Sequence, residues 1–212
     1  MVYTMGMAII TDIKPQAKNK GRVSVFIDDR FYCGLEKITA LSFRLKVGDE
    51  IDPDKLTAAV AESERASAFE RAAKYLGMRP RTRKEMRDYL TEKGYAPDAI
   101  DDTLQKLESY GYIDDEAYCR MYVEEYKRKA GARKLECDLI AKGAPRAAIE
   151  SALSGLDEEE TVHAVTALAE KYLRTHAYDT RKLIAFLLGK GFGYDEIKSG
   201  LEEIGSDDDL YE

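Results

Sequence analysis

Three Lys-Gly pairs, ending in Gly94, Gly143 and Gly191, stand 49 and 48 residues apart and divide most of this 212-residue chain into copies of one pattern. Leucine stands four positions before each glycine, as Leu90, Leu139 and Leu187, and Met86, Leu135 and Leu183 stand eight before. Six positions after the glycines come Ile100, Ile149 and Ile197, and ten after come Leu104, Leu153 and Leu201. Columns that hold register in this way mark an internal repeat, and a period near 50 residues belongs to arrays of supersecondary units. A unit of that size buries too little apolar surface to stand alone, so neighbours are expected to stack.

Each unit reads as three short helices. Twelve residues before the glycines sit Thr82, Gly131 and Asp179, all acceptable N-caps. Thr82 with Glu85 makes a capping box, and Tyr178 with Leu183 is spaced as a hydrophobic staple around Asp179. Each glycine then falls where a left-handed C-cap needs it, which predicts a middle helix over 83–93 and its two counterparts. A following helix begins near Pro97, Pro145 and Tyr194, and a preceding one is carried by 69–76, 118–126 and 162–173. Asp52-Pro53 opens an earlier helix, with Asp as N-cap and Pro at the first helical position. A break near 63–67 is expected to divide a linker helix from the first repeat.

The first 51 residues read differently. Val23, Val25 and Ile27 alternate with Arg22, Ser24 and Phe26, and after Asp28-Asp29 the run 30–34 is again rich in aromatics, which predicts a hairpin. Asp at both turn positions is a less comfortable choice than Asp-Gly for positive φ. A third strand is expected over 7–13, with 19–21 as a connecting turn. The stretches 35–41 and 45–51 are the candidates to cover the apolar face of this sheet. Lys14, Lys18, Lys20 and Arg22 read as a solvated edge that discourages strand pairing.

The expected fold is therefore mainly α, with three tandem three-helix, helix-turn-helix-like repeats in an elongated array after a small N-terminal β segment. Its divisions are 1–51 (β-rich segment), 52–67 (linker helix), 68–115, 116–156 and 157–205 (repeats one to three) and 206–212 (acidic tail).

Composition narrows the function. A net charge of −7 argues against an indiscriminate nucleic-acid binder, because that mode depends on neutralising many phosphates. No run approaches the roughly 18 apolar residues of a membrane span, residues 1–10 lack the pattern of a secretion signal, and a cytoplasmic home is expected. Cys33, Cys119 and Cys137 are an odd number without a CxxC pair, so they are read as small buried hydrophobes, not as disulfides or metal ligands. His163 and His176 are not paired with a Cys or carboxylate at ligand spacing, and no phosphate-cradling glycine loop or nucleophile elbow is present. Neither an enzyme nor a cofactor or metal site is expected. Tyr118, Tyr122 and Tyr126 recur every four residues and read as core with hydroxyls at the rim, while Tyr110 and Tyr112 flank Gly111. The acidic end, Glu202, Glu203, 207–209 and Glu212, is a solvated tail or a segment that folds over a basic face.

The candidate functional residues are basic. Two residues past each expected cap stand Lys84, Arg133 and Arg181, reinforced by Arg83, Lys134 and Lys182. Cations at a helix N-terminus oppose the macrodipole, at a cost of a few tenths of a kcal/mol each, and a bound anion would reverse that sign. Residues 79–93 hold six basic and three acidic side chains and residues 120–134 six and two, so these segments carry +3 and +4 inside an acidic protein. Arg79, Arg81, Arg87, Lys127, Arg128 and Lys129 belong to the same stretches. Singly, each is a solvated helix former; as a repeated column they are read as a partner- or DNA-binding surface for phosphates or carboxylates.

The run Arg-Lys-Glu-Met-x-x-x-Leu-x-x-Lys-Gly-Tyr from Arg83 to Tyr95, then Ile100-x-x-x-Leu104 and Tyr110-Gly-Tyr-Ile-Asp-Asp115, resembles RecX, the bacterial regulator of the RecA recombinase. The first repeat carries the likeness best, and Ala144 departs from it, where the other repeats place Tyr95 and Phe192. The resemblance implies a monomeric, non-catalytic protein that lies in the groove of the RecA filament on DNA. There it would modulate ATP hydrolysis and strand exchange, usually as an inhibitor, with a possible weak direct DNA contact and no membrane partner. An autonomous helix-turn-helix DNA binder is the alternative. A repeated basic column on a helical array suits a repeating polymer, since weak contacts add through multivalency.

Overall fold

The computed structural model describes residues 8–17 and 19–206. Met7, Lys18 and residues 207–212, which include most of the acidic tail, lie outside the described residues. The chain divides into two compact units: one holds residues up to Arg79 with Met86–Tyr112, the other holds Pro80–Glu85 and the chain from Ile113 onward.

In the first unit, strands β1 (Ala8–Pro15), β2 (Arg22–Ile27) and β3 (Arg30–Glu36) form an antiparallel meander, and the two-residue strand β4 (Glu50–Ile51) adds to β1. The sheet order is β3-β2-β1-β4. Asp28 and Asp29 take φ of 49° and 63°, so the hairpin closes through two left-handed aspartates, with the Asp29 N–H donating to Thr11 Oγ1 at 2.9 Å. Helix α1 (Lys37–Ser42) and β4 occupy the two stretches expected to cover the sheet. The larger cover comes from α2 (Pro53–Leu76), whose Leu56 and Ala59 join Ile10, Val23, Val25, Leu35 and Ile51 in one apolar cluster.

Helix α2 runs unbroken through 63–67, where the sequence suggested a division between linker and repeat. The reason lies in Ser63. Its side chain is buried, and its hydroxyl accepts the Glu36 N–H at 2.6 Å, so a residue that reads as a polar interruption is the polar contact between helix and sheet. Beyond it, Ala68 and Ala72 are fully buried and α2 packs against α4 (Pro97–Ser109). The α4 start is held from α2 as well, by Glu64 Oε1 accepting the Ala96 N–H at 2.7 Å and by Arg65 pairing with Asp102 at 2.6 Å.

The three middle helices are α3 (Arg83–Glu92), α6 (Ala132–Ala141) and α9 (Thr180–Gly189). In the second unit, α5 (Asp115–Tyr126) packs on α7 (Arg146–Leu153), and α8 (Glu158–Leu173) packs on α10 (Tyr194–Ser206). The columns behave as spaced. Met86, Leu90, Leu135, Leu139, Leu183, Leu187, Ile100, Ile149 and Ile197 are all buried, whereas Leu104 is buried and its counterparts Leu153 and Leu201 only partly so. Gly94, Gly143 and Gly191 have φ of 83°, 74° and 89° and terminate the middle helices. At each, the next residue's N–H reaches back to the column leucine, Tyr95 to Leu90, Ala144 to Leu139 and Phe192 to Leu187, which is the six-to-one bond of a Schellman end.

Ala144 is buried beside Cys119, Val123 and Leu139, with Tyr118, Tyr122 and Tyr126 packed against the same cluster. Tyr118 stacks on Tyr122 at a centroid spacing of 6.3 Å and Tyr126 lies tilted against Tyr122 at 4.6 Å, so this stripe is the edge of the core, as its spacing suggested. The cysteines correct a reading: Cys119 is buried, Cys33 is half-buried, and Cys137 is exposed on α6, so only one of them is a core hydrophobe. Tyr178 is likewise 61% exposed, with its hydroxyl accepting from Thr180 at 3.2 Å, and does not add to the core over Leu183.

Candidate functional site

The first turns of α3, α6 and α9 carry the basic column, and most of their backbone donors are already engaged. Thr82 and Glu85 form the reciprocal capping box: the Thr82 N–H donates to Glu85 Oε2 at 3.2 Å, and the Glu85 N–H donates to Thr82 Oγ1 at 3.1 Å. The Arg83 N–H donates to Asp115 Oδ1 at 2.8 Å. Asp114 caps α5 by accepting the Ala117 N–H, while Asp115 turns back to α3. On α9, Asp179 Oδ1 accepts from the N–H groups of Arg181 and Lys182 at 3.1 and 3.2 Å. These bonds, that of the Lys182 N–H first, hold the Asp179 carboxyl below the usual carboxylate range.

A second contact, within the second unit, occupies two of these turns. The Thr82 hydroxyl donates to the carbonyl of Lys142 at 2.6 Å, and the Gly131 N–H donates to the carbonyl of Lys190 at 3.0 Å. The Arg133 N–H donates in turn to the carbonyl of Gly191 at 3.2 Å. The first turns of α3 and α6 are thus seated on the Lys-Gly turns that end α6 and α9. The fit is tight: a Cβ on Gly143 would fall 2.0 Å from a carbon of the Lys84 side chain, and one on Gly191 would fall 2.4 Å from the Lys134 backbone. Gly131 approaches so closely that its own Cβ would lie 2.5 Å from the Gly191 carbonyl oxygen. Helix C-termini and N-termini of opposite partial charge meet here, a favourable arrangement of two macrodipoles. An anion at these turns would therefore find most of the first-turn N–H groups already held by caps and neighbouring carbonyls.

The side chains divide into three groups. Several basic residues are paired within the fold. Arg87 bonds Asp101, Lys134 bonds Asp138 at 2.6 Å, and Lys182 lies 3.4 Å from Asp179. Lys127 meets both Glu124 at 2.8 Å and Glu160 at 2.6 Å, and Arg128 meets Glu160 at 3.3 Å. These partners raise the pKa of Lys127, Glu124 first, and the Lys127 hydrogen bond lowers that of Glu160. Others serve the fold: Arg81 is buried, Arg83 is half-buried, and Lys84 lays its methylenes over Gly143. A third group faces solvent. Arg79, Arg133 and Arg181 are exposed and make no side-chain hydrogen bond or ion pair within the described residues, and Lys129 makes only a cation–π contact, 5.4 Å from the Tyr126 ring.

Lys142 and Lys190, which the basic column did not include, belong to the joints through their carbonyls. Lys142 lies over the Tyr122 ring at 5.6 Å and 3.6 Å from Glu85, and Lys190 lies over Phe186 at 5.3 Å. Their signal was the lysine preceding each glycine. The Tyr122 hydroxyl donates to Asp138 at 3.4 Å, and burial first, with Asp138 second, pushes its pKa up to about 12.

Among the described residues no group of three or more His, Cys, Asp or Glu side chains could hold a metal ion. His163 is exposed, and His176 stacks on Tyr172 at 4.1 Å with its Nδ1 bonded to the Tyr172 carbonyl and the Thr175 hydroxyl. No helix among them is long and apolar enough to cross a membrane.

Comparison with known proteins supplies three matches along the chain. Residues 8–52 match the Regulatory protein RecX N-terminal domain, 68–107 the RecX first three-helix domain, and 114–153 the RecX second three-helix domain. A Regulatory protein RecX from Clostridium botulinum (strain Alaska E43 / Type E3) is 34% identical over 204 residues, covering 93% of this chain and 96% of the relative. One from Bacillus subtilis (strain 168) is 30% identical over 210 residues, covering 96% of this chain and 80% of the relative. A crystal structure of regulatory protein RecX superposes with a TM-score of 0.67 at 27% identity, covering 91% of this chain and 99% of that one. RecX from Lactobacillus salivarius gives 0.62 at 28% identity, covering 68% and 97%.

Proposed function

The chain belongs to the RecX family of regulatory proteins, and from that premise we propose that it is a non-catalytic regulator of homologous recombination and the SOS response. It acts in the cytoplasm as a monomer that binds the groove of the RecA filament and lowers its ATPase and strand-exchange activity. The observation that carries the choice of surface is the exposure of Arg133 and Arg181, two residues past equivalent caps on successive middle helices, with no carboxylate partner among the described residues.

Each arginine is a planar donor that suits carboxylate or phosphate. Two of them on equivalent repeats can engage equivalent points on a polymer, so weak contacts combine. Lys129, in the same unit, adds to these cations, and Arg79, in the first unit, is a further solvent-facing one. Arg83, Lys84, Arg87, Lys127, Arg128, Lys134 and Lys182 contribute field more than direct contact, because local carboxylates or packing already hold most of them. Arg81, buried, is left out of the surface.

The test is R133E/R181E in a RecA ATPase assay on single-stranded DNA. The natural chain is expected to suppress hydrolysis, and the variant to lose that suppression while keeping its helical circular dichroism. Full suppression by the variant would remove this surface from the account.

A further inference from the structure

The middle helices end in three equivalent Lys-Gly turns, and two of them are filled. At Lys142–Gly143 the Thr82 hydroxyl donates to the Lys142 carbonyl and the Lys84 methylenes cover the glycine. At Lys190–Gly191 the Gly131 N–H donates to the Lys190 carbonyl and the start of α6 covers the glycine. The third turn, Lys93–Gly94, has the same backbone, with φ of 83° at Gly94 and the same bond from Tyr95 back to Leu90. Among the described residues it is bare: a Cβ added to Gly94 would meet nothing within 4 Å there, where its counterparts meet carbon or backbone at 2.0 and 2.4 Å. Thr91, Glu92, Lys93, Gly94 and Ala96 are all exposed, whereas Gly191 and Phe192 are buried. No backbone donor reaches the Lys93 carbonyl among the described residues.

We propose that the Lys93–Gly94 turn is a socket for the first turn of a helix in the protein partner. The filled turns show what fits: an N-cap glycine, threonine or serine whose N–H or O–H donates to the Lys93 carbonyl, followed after two or three residues by a long side chain that lies across Gly94. The negative end of α3 then meets the positive end of the partner's helix, as in both internal joints. End units of a repeat array carry the contact surface that inner units spend on each other, and here that surface has a defined complement. The inference rests on RecA being the partner.

The variant Gly94→Asn separates the socket from the fold. Asn tolerates a left-handed backbone and so keeps the helix end, but its side chain occupies the space a docked turn needs. Binding to RecA filaments on single-stranded DNA is measured by co-sedimentation, with circular dichroism and urea unfolding as controls. The expected result is binding weaker by about tenfold or more, with the fold retained. Equal binding by both proteins overturns the socket and leaves the function reading standing. Failure of the natural chain itself to bind overturns the function reading, and the socket's named partner with it. Concentration-dependent self-association of the natural chain, lost in Gly94→Asn, would place a second copy in the socket and overturn the assignment to another protein.

Discussion

The backbone N–H of Gly131 donates to the carbonyl of Lys190 at 3.0 Å, with the two chain segments in backbone-to-backbone contact at that point. The φ of Gly131 is −78°, a value any residue adopts, so its glycine is required by proximity and not by conformation. An alanine at an unstrained position ordinarily gains about 0.4–1 kcal/mol through the unfolded chain. Here the sign is expected to reverse, with Gly131→Ala costing about 1–3 kcal/mol in urea unfolding because its Cβ falls 2.5 Å from backbone atoms.

Asn substitutions at Gly191 and Gly94 impose similar left-handed backbones and differ in what surrounds them. Gly191→Asn is expected to be less stable than Gly94→Asn by about 1–3 kcal/mol, since only the former drives a side chain into Lys134. Equal losses would mean that the joint between α6 and α9 yields without cost.

Thr82 combines a cap with a joint. Thr82→Val keeps the shape but removes the acceptor for the Glu85 N–H and the donor to Lys142. A loss of about 1–2 kcal/mol is expected in thermal or urea unfolding, with Thr82→Ser close to the natural chain.

The thiols should separate by exposure. Burial pushes the Cys119 pKa up to about 11, while Cys137 is exposed. Since the thiolate is the reactive form, iodoacetamide near neutral pH should alkylate Cys137 first and spare Cys119 until the chain unfolds, as read by peptide mass spectrometry.

Two groups set opposite pH edges. The folded pKa of Asp179 is depressed, so its contribution is complete above the unfolded value near 3.9 and is lost as pH falls through the folded value. Asp179→Asn should flatten that acid limb. Tyr122 is raised from 10.0 to about 12, so its contribution is complete below the lower value and disappears as pH rises through the upper. Tyr122→Phe should remove that alkaline component from a stability profile followed by circular dichroism.

Much of the fold was legible because it rests on local requirements. The three glycines need positive φ, the leucine and isoleucine columns keep helical spacing, and Thr82 with Glu85 is a cap written in four residues. The joints were not legible, since carbonyls accept at Lys142 and Lys190 and a carbonyl is the same on every residue. Ser63 misled because a buried, bonded hydroxyl and a solvated one have the same letter. The basic column was visible, but which of its members face solvent depended on Asp101, Asp138 and Glu160, acids from 4 to 33 residues away in sequence.

As proposed, this RecX-family chain acts on the RecA filament and not on DNA by itself. Fluorescence anisotropy of the labelled chain near physiological salt, against RecA filaments on single-stranded DNA and against the same DNA bare, tests it most directly. Saturable binding to the filament and little to the bare strand are expected, as suits a net charge of −7. Equal or tighter binding to the bare DNA, or to duplex with a steep salt dependence, would contradict it and favour an autonomous helix-turn-helix DNA binder.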